Sequence, residues 1–462
     1  MNSPQQNRPR QNRPQPDTAR LELHYGLDDK PRALRDAVIY SAQWMLIMMY
    51  PVVWGYVIVG LGLGFTPQEL ADYMGRVVLM IGVSSLAQAA CGHRFPMATG
   101  PNIIPSTAIV AAYLAGGKEY AYLAINAGVI CGFLVAALGA LGVINLIARV
   151  WTPLVMGSMT MMVGLITSTL GMGLIAGSEH SAGLYIGIVL ALLCGWLSIK
   201  GRGLLATIPV LVAIVLGYVV FIALGRFDWA LVDSMPLWSL PRFFPYGLEL
   251  PPLELLFMML AAHLFSAIKE FGCVNGYAGL VGRPLTPGRT RRLFTIFGLV
   301  DTSLASALGV PATVSYGENM GILLLTKVAA RIFIILAGAG FIILSLYGKT
   351  GGMMAAMPGP VAGAVLLGVA ATLIGLGAET WLRGPRFKTR EIFIVGFSIF
   401  FAYGLAHVDE HFYTTLPRIM GMVCKNPLIT VIICGILLEQ IIFREARDSG
   451  AHTESDKEAR KE

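Results

Sequence analysis

The chain has 462 residues, 55% hydrophobic and only 13% charged, with a mean hydropathy of +0.68. So apolar a composition excludes a water-soluble globule and makes lipid the solvent for most of the surface. The formal net charge of +7 does not mark a nucleic-acid partner, because the basic residues lie in the first 35 residues and in the links between apolar runs, where they report topology.

Backbone groups in lipid must be satisfied within the chain, and apolar runs of about 20 residues do so as helices. The short alternating segments of a membrane barrel are absent from the sequence. Residues 1–36, rich in Asn, Gln, Pro and Arg (QQNRPRQNRPQP), are expected to form a disordered cytoplasmic tail. Apolar runs predict spans at 37–62, 74–92, 95–115, 120–147, 152–176, 183–199, 204–224, 252–278, 291–309, 312–326, 328–348, 357–381, 391–408 and 426–443. The fold class expected is therefore an all-α polytopic membrane protein of about fourteen spans.

The longest polar break, 225–250, reads as an extracytoplasmic loop between a first half, 37–224, and a second, 251–443. Seven spans per half is an odd number, so the second half enters the membrane in the opposite sense, as an inverted repeat. A charged segment, 444–462, follows as a second cytoplasmic tail. Arg94, Arg149, Arg202, Arg283, Arg292 and Lys388 fall in links on the N-terminal side, which places both termini in the cytoplasm of a bacterial inner membrane.

Two spans, each third in its half, are short and broken by Gly and Pro. The first reads FPMATGPNIIPSTAIVAAYL, with Gly100, Pro101, Asn102 and Pro105; the second reads GVPATVSYGENMGILLLTK, with Pro311, Gly317, Glu318, Asn319 and Gly321. Both are expected to be extended first and helical after, and irregular backbone at that depth lines a cavity or is buried in protein. Ser315 and Glu318 are spaced as a capping box, which predicts a half-helix from about Tyr316 with its free N–H groups aimed at the midplane.

Ionisable residues inside spans are costly and mark function. Glu270, mid-way along LFMMLAAHLFSAIKEFGCVNGYAGL, is expected to face the bundle interior and to contact ligand or carry a proton. Lys269 beside it points about 100° away and is not an obvious mate. His263 shares the face of Glu270 at a rise of about 10 Å and reads either as a relay or as a packed histidine. Asp301 precedes the second break and could orient its backbone or take part in coupling; Gln43, in the first span, offers a donor and an acceptor for a supporting role. The six cysteines, Cys91, Cys131, Cys194, Cys273, Cys424 and Cys434, are scattered without a CxxC pair; they read as free thiols, and no metal or cofactor is expected.

Glu318-Asn319-Met320-Gly321, four apolar residues, then Thr326-Lys327 resembles the [Q/E/P]-N-x-G-x-x-x-x-T-[R/K/G] signature of nucleobase-ascorbate transporters, and the surrounding SYGENMGILLLTKV is similar to bacterial uracil permeases. The resemblance spans residues 37–443. It implies a core domain that holds the substrate, a gate domain against which it moves, proton-coupled uptake of uracil or a purine, and a homodimer. By position it implies that Glu270 and Glu318 accept from base N–H groups and that backbone near Ile103 and Gly317 meets ring carbonyls; Asn102, Tyr316 and Asn319, in the two broken spans, are expected at or beside the site. The chain departs from the pattern in a link between Asp301 and the signature about three residues shorter than usual, and at three residue positions. The first-span Gln-His pair is Gln43-Trp44, the histidine expected four residues after the eighth-span acid is Val274, and the stacking aromatic is Ile103.

An anion transporter or channel of the same seven-plus-seven class is the alternative, for which two acids beside the site would be awkward. No metal-ligand cluster, nucleophile motif or phosphate loop points to an enzyme.

Overall fold

The computed structural model describes residues 22–49, 51–143, 151–178, 181–202, 205, 208–382 and 388–444. Helices dominate them, and seven are long and apolar enough to cross a membrane, or eight when the bent pair Arg418–Lys425 and Pro427–Ile442 is taken as one broken span. The first runs over Leu34–Leu61, changing to a wider π-turn at Gly55–Leu61.

The helices pack as two groups. In one, Pro67–Ala90 lies on Arg331–Leu346, and Ile103–Leu141 lies on Leu253–Leu280 and on the π-turn Phe297–Leu304. In the other, Pro153–Ala176 lies on Gly359–Leu382 and Pro427–Leu437. Lipid offers helices no hydrophobic gain on association, so close backbone approach must supply the cohesion, and small residues permit it.

The second group shows this at heptad spacing. Gly157, Gly164 and Gly171 face the backbone of Gly377, Ala370 and Gly363 in antiparallel order, so that a Cβ on Gly171 would stand 2.8 Å from the Gly363 carbonyl oxygen and one on Gly363 only 2.4 Å from that of Gly171. Gly363→Ala should therefore push the two helices apart, with a loss of about 1–3 kcal/mol, seen as a lower melting temperature in detergent. An unchanged melting temperature would show that the seam has slack.

Two short strands interrupt the first group. Thr99–Pro101 (β1) and Thr313–Ser315 (β2) pair antiparallel, with Thr99 opposite Ser315, Gly100 opposite Val314 and Pro101 opposite Thr313. Each leads into a helix, Ile103–Leu141 and Asn319–Thr326. The extended-then-helical form expected of both broken spans is thus present, and the two breaks meet.

The spans at 95–115 and 120–147 remain two helices within Ile103–Leu141, meeting at a kink where Gly116 and Gly117 leave the helical conformation and Gly117 takes a φ of +74°; residues 144–147 fall outside the described part. Of the expected N-terminal tail, residues 1–21 also lie outside it, but from residue 22 the chain is held. Tyr25 is fully buried and donates its hydroxyl to Asp36. Val328 pairs with Tyr25 in an isolated bridge, and Arg331 reaches Asp28 at 2.9 Å. Arg331 is therefore tied to the N-terminal segment. The tail at 444–462 is outside the described residues beyond 444.

Candidate functional site

At the crossing of β1 and β2 the strands need polar partners, because no water is available at that depth. The Pro67–Ala90 helix supplies them. Ser85 Oγ accepts the Thr99 N–H at 3.0 Å, and Ser84 Oγ lies 2.7 Å from Thr313 Oγ1. Thr313 Oγ1 lies 2.8 Å from Asp301 Oδ1, and Gln88 donates to Asp301 Oδ2 at 2.6 Å. Two residues along, on the same face of β2 by the strand's period of two, Ser315 meets Glu270: its N–H donates to Oε2 at 2.6 Å and its hydroxyl to Oε1 at 2.7 Å. One face of β2 is thus held by two buried carboxylates.

This arrangement overturns the local capping expectation. Ser315 spends both its donors on Glu270, so the strand continues through it and the half-helix begins at Asn319, with Glu318 at the N-cap making no side-chain cap bond. A charged acceptor on another helix wins over a local turn. Asn319 joins the two breaks instead: its Oδ1 accepts the Ala98 N–H at 3.1 Å, and its Nδ2 donates to the carbonyls of Ala98 at 3.0 Å and Tyr316 at 2.8 Å. The Tyr316 hydroxyl donates to the Pro101 carbonyl at 2.6 Å.

Beside the crossing lies a cavity of about 320 Å³, near the low end of small-molecule sites. Tyr316, Gly317, Glu318, Ile103, Trp54 and Lys269 line it from the first helix group; Met156, Met159 and Thr160 of Pro153–Ala176 and Leu373, Leu376 and Thr380 of Gly359–Leu382 line it from the second. A second cavity of about 270 Å³ shares Glu318 and extends past Gly321 and Leu325 to Ile47, Ser198 and Pro209. Glu318, exposed, stands where the two spaces meet.

The expected site residues therefore separate. Glu318, Gly317, Tyr316 and Ile103 come together around the cavity. Glu270 and Asp301 do not line it; they are buried behind β2. Asn102 caps the following helix through Oδ1 to the Ile104 N–H at 3.2 Å, and its Nδ2 is buried without a partner. His263 is fully buried with neither ring nitrogen hydrogen-bonded, so it is not wired to Glu270. Gln43 borders a separate crevice with Tyr40, Trp44 and Thr326. Sequence reasoning set aside Lys269 and overlooked Trp54, Ser84, Ser85 and Gln88. A polar Ser-Ser-x-x-Gln run inside a span was the available signal for the last three.

A sequence profile for xanthine and uracil permeases, described as "Permease family", matches residues 35–411. The chain belongs to this permease family. The permease is 23% identical over 444 residues to the xanthine permease XanQ of Escherichia coli K12, covering 91% of this chain and 94% of that one. It is 29% identical over 288 residues to the uracil permease of Bacillus caldolyticus, covering 60% and 64%. These relatives are permeases, not enzymes, and the permease is a multi-pass membrane protein. Its fold is similar to the transmembrane domain of the cyanobacterial bicarbonate transporter BicA, with a TM-score of 0.57 at 13% identity over 89% of this chain and 99% of that chain. It is also similar to the murine Slc26a9 anion transporter in the inward-facing state, with a TM-score of 0.60 at 10% identity over 88% and 69%.

Proposed function

We propose that the permease is a secondary transporter that imports a nucleobase, uracil or an oxopurine, by proton symport across a bacterial inner membrane. The observation that carries this reading is the cavity at the strand crossing, lined by a carboxylate, a half-helix start and aromatic rings. Ring N–H groups would donate to Glu318. Ring carbonyls would accept from the backbone N–H groups of Gly317 and Glu318, which line the cavity just ahead of the helix, whereas Asn319 and Met320 donate theirs to the carbonyls of Tyr316 and Gly317. Tyr316 and Trp54 offer flat faces where the family's stacking aromatic is Ile103 in this chain, and stacking on an aromatic is worth about 1–3 kcal/mol per base.

The first helix group would serve as the core and the second as the gate. A ligand gripped between them couples its binding to their relative position, which is what alternating access requires. Fourteen spans in two inverted halves agree with the antiparallel meeting of β1 and β2. Both termini in the cytoplasm rest on the basic links, and a homodimer rests on the resemblance. Glu270 and Asp301 are the groups best placed to carry the proton, because each holds β2 and a change in either charge would move the strand beside the ligand.

Uptake of labelled uracil, xanthine, hypoxanthine and urate into proteoliposomes under an inward proton gradient tests the proposal. Accumulation of at least one base, lost on adding a protonophore, is expected. No stimulated uptake of any base contradicts it.

A further inference from the structure

Adjacent residues on a helix point about 100° apart, and the Leu253–Leu280 helix uses this to separate two opposite charges. Glu270 turns to Ser315, whereas Lys269 lines the cavity. The Lys269 Nζ lies 5.6 Å from the centroid of the Tyr316 ring, and it forms no salt bridge among the described residues. A cation at membrane depth without a carboxylate in direct contact is expensive, and the aromatic face and the longer-range attraction of neighbouring Glu270 compensate it only in part. Its remaining N–H donors are available to whatever fills the cavity. Glu318 lines the same cavity, so the space carries a donor cation and an acceptor anion from different elements.

We infer that Lys269 is a specificity-determining residue and that the site takes its heterocycle as an anion, with the ionised edge on Lys269 and a ring N–H on Glu318. This rests on the nucleobase reading and narrows it. A neutral base would offer the ammonium only a carbonyl dipole; an anionic ring supplies a full counter-charge, whose Coulomb attraction is strengthened in a site of low dielectric. The shared chemistry is an oxo-heterocycle ionised at neutral pH, which urate provides through a ring N–H and orotate through a carboxylate on a uracil ring.

The test is equilibrium binding of labelled urate, orotate, uracil and hypoxanthine to the purified full chain at neutral pH, with chloride and bicarbonate as competitors. Urate or orotate should bind roughly ten- to a hundredfold more tightly than the neutral bases, and which of the two binds tells a purine site from a pyrimidine one. Lys269→Met should erase or reverse that ratio, and Lys269→Arg should keep it. The wild-type ranking needs no variant, so a misfolded Lys269→Met does not protect the idea. Neutral bases binding as tightly as the anions, or a ratio untouched by Lys269→Met, overturns this inference and leaves the nucleobase reading intact. Failure of every heterocycle to bind overturns both.

Discussion

Glu270→Gln is expected to abolish proton-driven accumulation of base while leaving the protein folded and able to exchange internal for external base. Glutamine can turn its carbonyl oxygen to the Ser315 N–H and its amide to the Ser315 hydroxyl, which rotates to accept. Both contacts to β2 survive, at 2.6 and 2.7 Å in the parent, but the titratable proton is gone. Exchanging charge-assisted for neutral bonds should cost on the order of 1 kcal/mol. Glu270→Ala removes both acceptors and strands the Ser315 N–H in a buried site, which adds about 1–3 kcal/mol; it should lower the melting temperature clearly and lose exchange as well. Accumulation assays, counterflow and thermal melts on the two variants separate these outcomes. Unchanged gradient-driven uptake in Glu270→Gln would exclude Glu270 as an essential carboxylate.

Glu318→Ala should show the opposite division between folding and binding. Glu318 makes no cap bond, so its removal should leave the melting temperature of the empty protein nearly unchanged. The base loses a charge-assisted acceptor worth about 1.5–3 kcal/mol, or roughly ten- to a hundredfold in affinity. Glu318→Gln keeps one acceptor and should fall between. Titration calorimetry and melts in the presence and absence of base check both halves. Full affinity in the alanine variant would place the base away from the cavity.

Much of this was legible in the sequence because lipid leaves so few options. Pro101 and Pro311 cannot continue a helix, and Gly100 and Gly317 weaken one, so breaks at matching places had to be either extended or a gap. Their pairing was not legible, since antiparallel register depends on how the halves cross. Glu270 was correctly marked as an interior carboxylate, but which of two neighbours would face the cavity depended on the helix's rotation, and a few tens of degrees decide between Glu270 and Lys269. The Ser315-x-x-Glu318 spacing misled because a capping box is a local pattern, and the competing acceptor lies 45 residues away in sequence. Of the two readings of His263, its burial agrees with the packed histidine: sharing a helix face with Glu270 did not bring it a hydrogen-bonding partner. The heptad spacing of Gly157, Gly164 and Gly171 was a signal that went unread, and it could not have named Gly377, Ala370 and Gly363 as its partners without the fold.

That the base sits in the cavity beside the strand crossing is tested most directly at Cys273, a partly exposed thiol that lines it. In a variant whose other cysteines are replaced by alanine or serine, the rate of Cys273 alkylation by a small maleimide is measured in inside-out and right-side-out vesicles, with and without saturating base. Bound base should slow alkylation severalfold and leave a remote surface cysteine, such as one restored at Cys91, unaffected. An unaltered rate at Cys273, under conditions where the same base raises the melting temperature of the variant, would put the ligand elsewhere.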